Sequence, residues 1–185
     1  MYCWHTLGGY WGGVSTSAPA VAHLAARQVK PRPTRSLLEV EPQMGWDAAS
    51  MCGVGALGSG YEAELFYGMH SYLSDAGVDG VKIDAQSGLG VFGDGAGGGA
   101  ASVRRHVHAM EASVGEHFEG NRCINCMAHS TENLYGFRST SMLRAADDFY
   151  PSEPQSHPVH LAQVTLTLTR TRTRTLTLTL TLTLP

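Results

Sequence analysis

A chain of 185 residues with 43% hydrophobic content is about one ordinary domain long and apolar enough to build a core. Its formal net charge of -3 leaves no broad basic surface for a phosphate backbone, which argues against nucleic acid as a partner. No apolar run approaches the length of a membrane-spanning helix. The opening MYCWHTLGGYWGG has neither a basic n-region nor a continuous apolar h-region, so membrane insertion and secretion both lose support.

In chain order, Met1 to His5 reads as a first strand. Residues 14 to 60 carry Pro19, Pro31, Pro33, Pro42 and many small residues, and read as an extended loop with a short helix near Ala20 to Gln28. From Tyr61, the residues Leu65, Phe66, Met69, Tyr72, Leu73 and Ala76 recur at three- and four-residue steps, which places them on one helical face. Gly77 supplies the stop. Val78 to Asp84 is short, apolar and β-branched, as a buried parallel strand should be. A glycine-rich loop follows, and then Ala101 to Phe118 is helical. Its stripe is Val103, Val107, Met110 and Val114, with Arg104, Arg105 and His106 elsewhere around the cylinder. Cys123 to Met127 and Ser141 to Ala145 read as strands, with a short helix around Thr131 to Tyr135 between them. Alternating strands and helices are the grammar of a parallel α/β fold, either doubly wound or a (β/α) barrel. About four strands are present, where a closed eight-fold barrel needs twice that number.

The tail differs in kind. From Thr165 to Leu184, Thr alternates with Leu or Arg without exception. As structure this would be one strand far longer than strands usually run; as gene text it is the product of a repeated six-nucleotide unit. The second reading is preferred, and it predicts a disordered or aggregation-prone segment without a functional role.

Lys82 and Asp84 are two apart, so on a strand they point to the same side, at the end where parallel α/β folds gather ligands. A carboxylate beside an ammonium stays ionised, the state a nucleophile needs. The plainer alternative is a salt bridge closing a barrel mouth. A second acidic cluster lies in Arg144-Ala145-Ala146-Asp147-Asp148, past the last candidate strand. One ionised carboxylate and one able to carry a proton form the pairing of retaining glycoside hydrolysis, where the two stand ~5–5.5 Å apart. Adjacent Asp147 and Asp148 diverge from the backbone, so one of them faces the sugar and the other is a cap or a support.

Other patterns carry less. Cys123 and Cys126 form a CxxC with His129 three residues on, but Cys3 and Cys52 do not complete a zinc site. Two reduced thiols on a buried strand and its loop is the better reading. Gly88 to Gly93 fits GxGxxG, yet Gly95 to Gly99 separate it from the next helix and Glu111 falls inside that helix, which weakens a dinucleotide-binding oxidoreductase. His106 and His108 face different directions on their helix and read as solvated.

Four segments together resemble a known family: WHTLGGYWGG from Trp4, GVDGVKIDAQ from Gly77, CINCMAHSTENLY from Cys123 and RAADDFYPSEPQSHPVHLA from Arg144. In this order and spacing they are similar to the raffinose synthases, stachyose synthases and seed imbibition proteins of glycoside hydrolase family 36, with residues 14 to 60 matching least. The resemblance implies an α/β fold that is a partial (β/α)8 TIM-type barrel, about four of eight βα units, over residues 1 to 163, followed by the low-complexity tail 164 to 185. It implies a retaining α-galactosyl enzyme: Asp84 as nucleophile, and Asp147 or Asp148 as acid/base, with Asp147 favoured because it directly follows the small residue Ala146. Lys82, Trp4, Arg144 and His129 would line the sugar site. The substrates implied are small oligosaccharides (galactinol, sucrose, raffinose), with no cofactor, no metal and no membrane, in the cytoplasm, or in plastids given a transit peptide upstream. Transfer to sucrose and hydrolysis stay level. Departures from the family pattern are Ala146 for its usual Ser, and Ser130 and Glu132 for its usual Asn and Asp, which bear on acceptor contacts more than on the chemistry. The family's barrel has strands before Trp4 and after Ala162. The chain alone is therefore expected to be at best marginally folded and inactive, and a truncated or degenerate copy without activity is the rival reading.

Overall fold

The computed structural model describes residues 1–140, 142–144 and 148–162, which fall into two compact units, Met1–Leu143 and Arg144–Pro185. Asp147 and the Thr-Leu and Thr-Arg repeat lie outside the described residues. The first unit runs β1 (Tyr2–Thr6), β2 (Arg27–Val29), α1 (Arg35–Val40), α2 (Ala48–Cys52) and β3 (Val54–Ala56). It continues with α3 (Glu62–Asp75), β4 (Gly80–Asp84), α4 (Gly99–His117), β5 (Cys123–Asn125), α5 (Thr131–Gly136) and β6 (Met142–Leu143).

The main sheet has four strands in the order β1-β4-β5-β6, every pair parallel. Strand order rises with sequence order and never reverses, whereas a doubly wound sheet reverses at its switch point. No closed barrel is formed by the described residues. Alternation along the strands divides the sheet into two faces. Val81 and Ile83 of β4 and Cys123 of β5 turn to one side, where they join Phe66 of α3, Val103, Val107, Met110 and Val114 of α4, Leu7 and Phe118 in one buried cluster. The other side carries Trp4, Lys82, Ile124 and Met142, each partly or well exposed to solvent.

The helices form where the sequence supports them. α3 has Glu62 and Glu64 in its first turn, where carboxylates favour the dipole, and it hands over to Gly77 at φ +82. α5 is capped by the Ser130 hydroxyl, which accepts from the Asn133 N–H. No described helix is long and apolar enough to cross a membrane.

Three expectations need correction. The stretch 14 to 60 is not one loop: a 3-10 turn at Pro19–Leu24 is followed by the antiparallel pair β2 and β3 and two short helices. Val14, Leu24 and Leu57 from this stretch pack on Leu65 of α3 in a second buried cluster. Tyr72 is 73% exposed, at the edge of the α3 stripe, and His70 is fully enclosed in its place. His106 is buried rather than solvated, because its Nδ1 meets the Ser102 carbonyl 2.9 Å away and so needs no water. Gly88 to Gly93 lies largely in a 3-10 turn, Ser87–Phe92, and α4 opens only at Gly99, so these glycines do not start a helix as a dinucleotide fingerprint requires.

The second unit, taken by itself, holds a 3-10 turn at Pro154–Ser156 running into helical residues 157–162. Phe149 stacks on His157, and the His157 Nε2 lies 3.1 Å from the Tyr150 carbonyl.

Candidate active site

Asp84 ends β4, buried to 7% exposure at the C-terminal edge of the sheet. Its Oδ2 accepts a 2.9 Å hydrogen bond from the Trp4 indole Nε1, and Lys82 Nζ stands 3.9 Å from the same oxygen. Oδ1 accepts the N–H of Ala85 at 2.7 Å. The Cys126 thiol also hydrogen-bonds the carboxylate. Burial pushes the carboxyl upward, but the Trp4, Ala85 and Cys126 donors and the Lys82 charge outweigh it, and Asp84 is held below the usual carboxylate range. An anion so held is ionised at neutral pH and presents a fixed oxygen to whatever lies at the strand end.

The strands explain the convergence. Trp4 is in register with Lys82, and Thr6 with Asp84, so these four share one face. Ile124 is in register with Lys82 and Ile83 with Asn125, which puts Cys126 level with Asp84 just past β5. The sequence placed Trp4 only in the lining of the sugar site and did not show its indole N–H as the donor that orients Asp84. It also left Cys126 unassigned, although the matching spacing of Lys82-Asp84 and Ile124-Cys126 contains the signal.

The turn after Asp84 is held from behind. Ala85 is at φ +51, a conformation that a non-glycine residue adopts at some cost, and Gln86 next to it is fully buried. Gln86 Nε2 donates to the Ile83 carbonyl at 2.9 Å and to Asn125 Oδ1 at 2.8 Å. Asn125 Nδ2 donates to Thr140 Oγ1 at 3.0 Å. Glu111 of α4 accepts from the Arg138, Ser139 and Thr140 N–H groups and from the Thr140 hydroxyl, at 2.6 to 3.1 Å. A carboxylate buried inside a helix stripe therefore fixes the segment leading into β6, and the chain of amides carries that order to the residue following Asp84.

The remaining predicted residues are placed as follows. His129 is exposed in the loop after β5. Arg144 and Asp148 belong to the second unit, where Arg144 Nη1 pairs with Asp148 Oδ1 at 2.8 Å and Asp148 is largely exposed. Asp147 is outside the described residues. Among the described residues, no group of three His, Cys, Asp or Glu side chains is arranged to hold a metal ion. Cys123 and Cys126 are both buried and are not joined in a disulfide, and burial together with the Glu111 charge pushes the Cys123 thiol up to about 12.

One end of a parallel α/β sheet thus holds an ionised carboxylate beside an indole and a lysine, at the edge where such sheets gather their ligands. The chain belongs to the raffinose synthase or seed imbibition protein Sip1 family, whose model matches residues 1–169. It is 38% identical over 164 residues to a probable galactinol–sucrose galactosyltransferase 6 of Arabidopsis thaliana, covering 89% of this chain and 21% of the relative. It is 33% identical over 159 residues to the galactinol–sucrose galactosyltransferase of Pisum sativum, covering 85% and 20% of the two chains. With the stachyose synthase of Pisum sativum it shares 30% identity over 160 residues, covering 86% and 18%. The chain thus spans about a fifth of the length of the curated relatives it matches.

Proposed function

We propose that this chain carries the nucleophile of a retaining α-galactosyl enzyme that moves galactose from galactinol to sucrose. The reading rests on the Asp84 carboxylate, enclosed at a parallel strand end yet held ionised by the Trp4 indole, the Ala85 N–H, the Cys126 thiol and Lys82. An Asp84 oxygen attacks the anomeric carbon as the bond from that carbon to the leaving oxygen breaks. Asp147 or Asp148 gives its proton to the leaving oxygen and becomes the base. In the second half, the acceptor hydroxyl gives its proton to that base while its oxygen displaces Asp84 from the anomeric carbon. Sucrose as acceptor gives transfer; water gives hydrolysis. Lys82, Arg144 and His129 bind hydroxyls, and no cofactor enters either step. The relatives' names support galactinol and sucrose as the pair.

On this reading the four-stranded sheet is a segment of a (β/α) barrel. Its supports are the unreversed strand order and the packing of α3 and α4 on one face only.

The test is covalent trapping. Incubated with 5-fluoro-α-galactosyl fluoride and digested, the protein should yield one peptide heavier by a fluorogalactosyl group, carrying the label on Asp84, and Asp84→Asn should yield none. Label on another carboxylate with Asp84 untouched would overturn the assignment.

A further inference from the structure

Trp4 is committed to the carboxylate: its N–H is donated to Asp84, and its ring is flanked by two others. Tyr10 meets it edge-on with centroids 5.8 Å apart, and Trp11 lies tilted at 41° with centroids 5.4 Å apart. Those outer rings are the anomaly. Trp11 is 56% exposed and Tyr10 65% exposed, on the loop that leaves β1 at the same edge of the sheet as Asp84. Both rings pack on Trp4, yet more than half of each stays open to solvent next to the ring that holds the buried anion.

The loop that carries them is built to hold still. The Thr6 hydroxyl donates to the Tyr10 carbonyl at 3.0 Å, and the Gly13 N–H donates to the same carbonyl at 2.9 Å. Beyond them, the Gly55 N–H donates to the Gly12 carbonyl and the Val14 N–H to the Gly55 carbonyl, both at 2.9 Å, tying the loop to β3. Gly13 has φ +76, and a Cβ there would run into the Gly55 carbonyl, so the close approach demands glycine. A ring on such a frame gives contact area without an ordering cost.

We propose that Trp11, packed against Trp4, is the stacking platform for a pyranose ring of the substrate, and that Trp4 is a positioning residue for Asp84. This rests on the galactosyl reading above. A pyranose presents a patch of C–H bonds on one face and hydroxyls around its rim. A flat indole suits the first, and Asp84 and Lys82 beside it suit the second. An apolar peptide or lipid would meet that charged pair with nothing to offer it.

Titration of the protein with raffinose, followed by tryptophan emission and by calorimetry, tests this. Trp11→Leu keeps apolar bulk without a flat face and should weaken binding on the order of tenfold, with near-ultraviolet dichroism away from the Trp11 contribution unchanged. Trp11→Phe should recover most of the affinity, a rescue that a role in folding alone does not predict. Unaltered affinity in Trp11→Leu, with Asp84 still labelled by the fluorosugar, overturns the platform and leaves the galactosyl reading standing. Equal loss in the Phe and Leu variants also overturns it. Absence of both raffinose binding and Asp84 labelling in the unaltered protein overturns the two together.

Discussion

Acidification should unfold the first unit through its buried histidines before its carboxylates respond. His5 of β1 and His70 of α3 face each other with Nε2 atoms 3.1 Å apart, and His70 Nδ1 lies 2.9 Å from the Ser113 hydroxyl of α4. That hydroxyl is 3.3 Å from Nδ1 of His117, and Phe66 and Phe118 pack against the His70 ring. Burial first, then the neighbouring His5 and His117, push His70 down to about 3; burial likewise lowers His5, against a backbone hydrogen bond at Thr6. The unfolded chain, where a histidine titrates near 6.5, therefore binds protons that the folded chain refuses. Stability is complete well above that value and is lost as pH falls, for His70 at up to about 1.4 kcal/mol per unit, or roughly 2.3 kcal/mol between pH 6.5 and 4.5. Asp84 and Glu62, both lowered, begin to lose their contribution as pH falls through the ordinary carboxylate value, so the histidine loss starts first and the two overlap only at the acid end. The perturbation is His70→Gln, which keeps a donor and an acceptor toward His5 and Ser113. Urea unfolding followed by tryptophan emission at several pH values between 7.5 and 4.5 should show a slope shallower in the variant by up to about 1.4 kcal/mol per unit, the difference growing below pH 6.5. Comparing slopes cancels any constant packing loss. Identical slopes in the two proteins would refute the reasoning.

Glu111→Gln should destabilise the first unit by about 2–3 kcal/mol, because an amide nitrogen would face N–H groups that now reach a carboxylate; an unchanged urea midpoint would count against the anchor. Gly55→Ala should cost about 1–3 kcal/mol, since its Cβ would meet the Val14 carbonyl, and should shift Trp11 emission by loosening the loop; calorimetry and fluorescence read the two effects. In a timed alkylation read by mass spectrometry, exposed Cys52 should react in the folded protein, while Cys123, raised to about 12, should react only after denaturation.

The parts of the fold that repeat were legible and the parts held by backbone alone were not. β4 announced itself through Val81 and Ile83, and α4 through its stripe, because a buried face must be apolar at a fixed period. β2 and β3 have three residues each, too few for a period; β2 pairs with β3, and Gly55 of β3 is held against the loop at Gly12 to Val14 by close glycine contacts that composition does not display. His106 and His70 were hidden by their type: each occupies a core position, and its polar atoms are satisfied by Ser102, or by His5 and Ser113. That Lys82 and Asp84 share one face of β4 was legible from their spacing. Trp4 as the donor to Asp84 was not, since it depends on the β1–β4 register.

That register is where fold and site become one problem. In β1, β4 and β5 the odd positions His5, Val81, Ile83 and Cys123 enter the core, while the even positions Trp4, Lys82, Asp84 and, beyond the strand, Cys126 assemble the site. A slip of one residue in β4 would drive Lys82 and Asp84 against Phe66 and Met110 and lift Val81 and Ile83 into water, an exchange that costs far more than a mispaired apolar strand would. The charged pair that performs the proposed chemistry thus also excludes the wrong pairing. A variant with Lys82 and Asp84 both made Leu should keep a sheet by far-ultraviolet dichroism while broadening its unfolding transition, because its strand no longer distinguishes its two faces.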